Sequence, residues 1–293
     1  MAQREMDQIR TVIRISSSIA NFREKLTDYL QLPEWHWWRN RNDRVIFFGL
    51  YHWKDYLRFI WHRGPKKVFW CGSDILNAID RYHRLWLVPK IKAKHYCENE
   101  VEQDFLKHHL DIDAEIRPML FDEPIKYRIC YTWVEKPNVY INCHPDREKE
   151  YGIDQIVELA YLFPNITFHV YGISQSEVWF DNSINEMRNL YYQLPNLIYH
   201  GHVEERLFNE HIKNFQGCIR LNEFDGFAET LAKSVLLGQY QFSKIEYPKM
   251  NYNSITGFLE QFKDRKEPNY EASNYWRKTL KENAHEVAHN WSW

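Results

Sequence analysis

The chain has 293 residues, a length that accommodates one large or two medium α/β domains. Its 38 basic and 40 acidic side chains leave a net charge of −2, which argues against a protein that coats nucleic acid through general basicity. Apolar residues make up 44% of the chain, but no stretch reaches the ~20 consecutive apolar residues of a membrane-spanning helix.

Residues 11–15 (TVIRI) read as a short first strand, and 19–30 carry helical spacing until Pro33 breaks it. The run EWHWWRNRNDR then sets Trp35, Trp37 and Trp38 beside Arg39, Arg41 and Arg44. Two readings stand. It is either an interfacial patch for anionic lipid, since Trp favours the headgroup level and Arg pairs with phosphate, or a loop whose tryptophans fold back on the domain. Residues 45–48 form a buried strand ended by Gly49, and 50–64 read as a helix. A second apolar run at 67–71 leads directly into Gly72, Ser73 and Asp74, with a helix over 75–84. Strands are expected at 85–88 and 91–96, a helix over 98–109 with Asn99 or Glu98 near its cap, and a short strand over 114–117. This alternation implies a mainly parallel sheet, and such sheets bind ligands at the carboxyl ends of their strands.

Residues 121–137 contain Pro124 and Pro137 and no clear period, and read as the link between two domains. A second alternation follows. It has a strand at 139–142, a helix over 151–162, a strand at 166–171 ended by Gly172, and a helix over 184–194. A strand at 197–199 ends at His200, Gly201 and His202, and a helix covers 204–214. The next unit, GCIRLNEFDGFAETLAKSVLLGQYQFS, is a strand, an acidic loop, a helix over 228–237 and another strand. It aims the free N–H groups of a helix start at whatever binds above the sheet, a place suited to phosphate. Residues 251–268 read as a helix and a loop, and 271–289 as a final helix closed by Trp291 and Trp293.

The five cysteines, Cys71, Cys97, Cys130, Cys143 and Cys218, are odd in number and form no C-x-x-C pair. They read as reduced thiols rather than a disulfide frame or a zinc site. With the charged start MAQREMDQIR, which lacks an apolar core, this predicts a cytoplasmic protein. The 12 Trp, 19 Tyr and 17 Phe either fill cores or stack on sugars, bases and headgroups.

Residues 139–243 resemble the nucleotide-binding half of GT-B glycosyltransferases, in particular the retaining family with a Glu, seven residues, then a Glu. The resemblance rests on Val170, Tyr171 and Gly172, on His200 to Val203, and on Asp225, Gly226, Phe227 and Ala228 with the helix behind them. The first half fits the acceptor domain by alternation, helped by Trp70 to Asp74. Asp225 stands where the family has its first Glu, and Lys233 where it has the second. Lys233 cannot accept from ribose hydroxyls, and Glu229, one helical turn before it, is placed to pair with it. Tyr151 stands where the family has a Lys before Gly, leaving Arg147 and Lys149 as substitutes for holding a diphosphate.

The resemblance implies two Rossmann-like domains facing a central cleft, with the C-terminal helix crossing back to the first. The expected divisions are 1–130 for acceptor binding, 131–268 for the nucleotide sugar and 269–293 for that helix. It implies a hexosyltransferase-like enzyme that moves a sugar from a nucleotide sugar to the hydroxyl of a glycan or other acceptor, retaining and without a required metal. The alternative is a catalytically weakened GT-B protein that binds a nucleotide or glycan. Asp111 and Asp113 form a D-x-D in an expected surface turn, a weak basis for a metal. Candidate catalytic residues are His52 and Asp225. Donor candidates are Arg147, Lys149, Gly172, His202, Gly226, Phe227, Glu229 and Thr230, and acceptor candidates are Gly49 and Asp74. A peripheral membrane contact through Trp35, Trp37 and Trp38 is one expectation, and a nucleic-acid partner is not expected.

Overall fold

A computed structural model describes residues 10–81, 88–174, 193–250 and 252–292. The helix expected at 184–194 and the strand expected at 85–88 fall mostly outside these residues, as does Trp293. The chain divides into two compact units. The first takes Met1–Pro124, Phe224–Phe227 and Thr279–Trp293, and the second takes Ile125–Glu223 and Ala228–Lys278.

The sheet of the first unit holds β1 (Thr11–Ile15), β2 (Arg44–Phe48), β3 (Lys66–Phe69), β4 (Lys94–Cys97) and β5 (Ala114–Ile116). The strands are parallel and lie in chain order. Its helices are α1 (Arg23–Leu30), α2 (Trp53–Trp61), α3 (Ser73–Arg81) and α4 (Glu100–Leu110). Val45, Ile46, Phe47 and Phe48 are all buried, because a parallel strand with neighbours on both sides is covered on both faces. Asn99 starts α4 by accepting from Glu102 N at 2.9 Å. The strand expected at 91–96 begins only at Lys94. Residues 88–91 instead close a turn, Ile91 N donating to Val88 O at 3.1 Å, with Pro89 at the position where its fixed φ suits a turn.

The second sheet holds β6 (Asn138–Asn142), β7 (Thr167–Tyr171), β8 (Leu197–Gly201), β9 (Gly217–Arg220) and β10 (Tyr240–Ser243). All its pairs are parallel, in the order β10-β9-β6-β7-β8. The chain therefore winds outward from β6 in one direction through β7 and β8, then returns to β6's other side for β9 and β10. Helices α5 (Ile153–Leu162), α6 (Glu205–Ile212), α7 (Glu229–Leu236) and α8 (Ile255–Phe262) accompany it. The last helix, α9 (Tyr270–His289), starts in the second unit, and its residues from Thr279 onward belong to the first.

The end of α9 is fastened by a buried lysine. Lys67 Nζ donates to Val287 O at 2.6 Å and to Glu286 O at 3.3 Å, and lies 4.5 Å from the Trp291 ring. An ammonium at the carbonyl end of a helix satisfies orphan acceptors and the negative end of the helix dipole together. No helix among the described residues is long and apolar enough to cross a membrane.

The tryptophan run corrects one expectation. Trp35 is buried, its ring against Phe47 and His62, so it presents no face for lipid. Trp38 is 89% exposed, and Trp61 of α2 joins it at 55%. Trp37 bridges them at ring distances of 6.2 and 5.9 Å.

Candidate functional site

In the second unit the carboxyl ends of β6, β7 and β9 bring several expected residues together. Gly172, just past β7, has φ +88°, and a Cβ there would lie 2.0 Å from Cys143 O, which follows β6. Only glycine permits that approach. The loop after β6 carries Arg147 in a short 3-10 turn, Pro145–Arg147. Its guanidinium is not simply solvated. Nε donates to Glu150 Oε2 at 2.7 Å, and a second nitrogen reaches the same oxygen. Lys149 is exposed in the same loop.

The start of α7 sits beside this loop system. Tyr140 of β6 donates its hydroxyl to Thr230 O at 3.0 Å, and Thr230 is buried. Glu229 pairs with Lys233 at 2.8 Å, the i,i+4 pairing expected from their spacing. Lys233 is only 2% exposed and also reaches Glu205 Oε1 at 3.1 Å and Asn209 Oδ1 at 2.8 Å. The lysine at the second Glu position thus cross-links α6 and α7 and engages the nearest carboxylate. His202 is exposed past β8, the edge strand two places from β6.

Asp225, Gly226 and Phe227 belong to the first unit. There they meet a pair of buried acids at the end of β4. Phe227 N donates to Glu98 Oε2 at 3.0 Å, and Asn99 Nδ2 donates to Asp225 O at 2.7 Å. A Cβ on Gly226 would lie 2.0 Å from Glu98 Oε2, and one on Gly72 would lie 3.0 Å from Gly226 N. Glu102 Oε2 accepts from Glu98 N at 2.7 Å. Burial pushes Glu98 well above the ordinary carboxylate range, against the amides of Phe227 and Met119. Burial and the charge of Glu98 do the same to Glu102. The Phe227 amide, expected to face the donor, is held by Glu98.

Asp74, an acceptor candidate, lies inside the first unit. It is 0% exposed, and its oxygens accept from Leu50 N at 3.0 Å and Cys71 N at 2.9 Å. It joins the loops that follow β2 and β3. Burial raises its carboxyl to about 6, against four backbone amides that favour the ionised form. Gly49 has φ +71°, and a Cβ there would lie 2.5 Å from the Tyr51 ring. His52 precedes α2 with its side chain exposed and its Nε2 2.9 Å from Ser18 Oγ. Among the described residues no group of three His, Cys, Asp or Glu could hold a metal ion.

No family model matches the chain, and no curated protein matches it in sequence. Solved structures match it in shape. The apo form of the lipopolysaccharide outer core galactosyltransferase WaaB superposes with a TM-score of 0.54 at 12% identity, covering 92% of this chain and 80% of its own. TarM gives 0.52 at 11% identity, covering 85% and 52%. Sucrose-phosphate synthase from Thermosynechococcus elongatus gives 0.52 at 10%, covering 84% and 68%. The chain has the GT-B fold. It spans about half the length of TarM.

Arg147, Gly172, Glu229 and Thr230 belong to one unit, while Gly49, His52, Asp74 and the Asp225 loop lie in the other. The sequence reading missed Glu98 and Glu102, although a Glu pair four apart at a strand end was visible as a signal. It also missed Arg220, the last residue of β9, a lone cation in the apolar run that precedes the acidic loop.

Proposed function

We propose that this chain binds a nucleotide sugar at the carboxyl ends of β6 and β9 and passes the sugar to an acceptor hydroxyl. The observation that carries the reading is the reversal of chain order between β6 and β9, since open parallel sheets bind ligands where their order reverses. As the bond from the sugar's C1 to the diphosphate breaks, negative charge grows on the leaving oxygens. Guanidinium and amide N–H groups already aimed there lower the barrier. The acceptor oxygen forms the new bond to C1, and its proton passes to His52 or to the departing phosphate. Asp225 is the candidate for the sugar hydroxyls. Charge compensation by basic side chains supports transfer without a metal, and the resemblance to the retaining family supports retention. A structure of a Staphylococcus aureus TarM variant contains UDP and alpha-GlcNAc-glycerol, which supports a nucleoside diphosphate as the leaving group here.

One observation favours a second reading. The ion pair from Lys233 engages Glu229, the carboxylate nearest to where ribose hydroxyls would be held, and this fits a weakened protein that binds nucleotide or glycan without turnover. The two readings separate in a paired experiment. Thermal stability is measured with a panel of nucleoside diphosphates, and release of diphosphate is measured with the matching nucleotide sugars, with and without chelator. A ligand bound only by the folded state raises stability by about 2.7 kcal/mol at a hundredfold excess over Kd. Stabilisation with turnover that is lost in Asp225→Ala supports the enzyme. Stabilisation without turnover selects the binding protein, and no stabilisation by any nucleotide rejects the enzyme and the nucleotide-binding form of the second reading.

Trp38 and Trp61, with the exposed Arg39, Arg41 and Arg63, support contact with an anionic membrane surface, where indole sits at the headgroups and Arg meets phosphate. Flotation with anionic but not zwitterionic vesicles, lost in Trp38→Ala, is the expected result. All five cysteines are free thiols, which supports a reducing, cytoplasmic setting.

A further inference from the structure

The loop after β6 lacks a lysine at the position before Gly152, where Tyr151 stands. The Tyr151 ring is nevertheless flanked by two cations. The Arg220 guanidinium lies 4.6 Å from its centroid and that of Arg147 5.8 Å. Arg220 is 8% exposed and donates through one terminal nitrogen to Asn142 O, the last residue of β6, at 3.3 Å. It therefore stands between the ends of β6 and β9, where the strand order reverses. Both guanidinium charges act on the Cys143 thiol beside them. Helix α5 begins at the same place, directly after Gly152.

We infer that Arg220 is the anchoring cation for the diphosphate of a nucleotide ligand, replacing in space the lysine that Tyr151 replaces in sequence. The inference rests on the proposed nucleotide site and names the residue that grips the ligand there. The ring and the Asn142 carbonyl fix the guanidinium plane before the ligand arrives, so little rotamer freedom is lost on binding. Arg147 is the weaker partner, because Glu150 already holds two of its nitrogens, and a diphosphate must compete with that carboxylate.

The test is binding of UDP, GDP and ADP, each against its own nucleoside, by titration calorimetry. For the nucleotide that binds, Arg220→Gln is expected to weaken the diphosphate by about 10- to 100-fold and to leave the nucleoside within about twofold, the loss of one strong charge-assisted contact. Arg147→Gln is expected to weaken it less. Tyr151→Lys in the Arg220→Gln background restores most of the affinity. Circular dichroism and thermal melting check each variant, and Arg220→Lys, which keeps the charge and a similar stem, keeps the test decisive should Arg220→Gln fail to fold. An intermediate loss in Arg220→Lys then supports the role, and no loss overturns it. Undiminished diphosphate binding by a folded Arg220→Gln overturns the role of Arg220 and leaves the nucleotide site standing. Binding of no nucleoside diphosphate by the unaltered protein overturns the site itself.

Discussion

Gly226 is the position where the structure makes its sharpest energetic claim. A Cβ added there would sit 2.0 Å from Glu98 Oε2, whereas carbon and oxygen ordinarily approach no closer than about 3.3 Å. The carboxylate has little room to retreat. It is buried, and it accepts from Phe227 N at 3.0 Å and from Met119 N at 3.4 Å. Gly226 does not have a positive φ, so Ala carries no backbone strain of the left-handed kind, and its whole cost is the collision. Losing one or both hydrogen bonds to a buried carboxyl, at about 1.5–3 kcal/mol each, puts Gly226→Ala at about 1.5–6 kcal/mol. Glu98→Ala removes the oxygen that the added methyl group would strike. In that background Gly226→Ala is expected to cost nothing, or to gain up to about 1 kcal/mol by restricting the unfolded chain. Urea unfolding of the four proteins, followed by tryptophan fluorescence, gives the coupling energy directly. If Gly226→Ala is harmless, or costs as much in the Glu98→Ala background as in the parent, the close packing of this loop on Glu98 is wrong.

Three further outcomes follow from buried charges. Lys233→Met is expected to cost about 1–2 kcal/mol, because Glu229 and Glu205 are partly solvated once their shared cation is gone. Lys233→Glu, which places the family's residue there, is expected to cost more, since three carboxylates then meet; equal urea midpoints for the two variants would count against the cross-link. Asp74 titrates at about 6 when folded and near 3.8 when unfolded, so the folded state holds more protons in that window. Its stabilising contribution is present below pH 3.8 and lost as pH rises past 6. The stability gap between the parent and Asp74→Asn should therefore narrow by up to about 3 kcal/mol from pH 4 to pH 7, and a gap that widens would contradict the assignment. Lys67→Met keeps the bulk but loses the bonds to Val287 and Glu286, so amide exchange in the last turns of α9 should accelerate by at least about tenfold while β6 and β7 keep their protection; unchanged exchange would show that Lys67 does not fasten the helix.

Much of the architecture was legible because its signals are local. Apolar runs of four or five residues, each followed by glycine or a polar cluster, located β2, β3, β6, β7 and β9, and the caps and breaks that bound the helices lie within a few residues of one another. The pairing of Glu229 with Lys233 was legible for the same reason, since a four-residue spacing on a helix makes neighbours. Where local reading failed, a nearby competing signal won. Pro89 turned residues expected to begin a strand, and the packing of Trp35 beside Phe47 drew an indole inward that composition alone left open.

The sequence by itself determined that this chain is a doubly repeated α/β alternation with its chemistry-bearing residues at strand ends, because strand and helix periods are written residue by residue. Only the tertiary structure decided which of those ends meet. The order β10-β9-β6-β7-β8 brings Arg220 against Tyr151, and packing within the first unit sets Glu98 against Phe227, 129 residues away. A buried charge must find a partner wherever the fold puts one, since leaving it unpaired costs several kcal/mol. That partner is fixed by strand pairing across the chain, and no local pattern announces it.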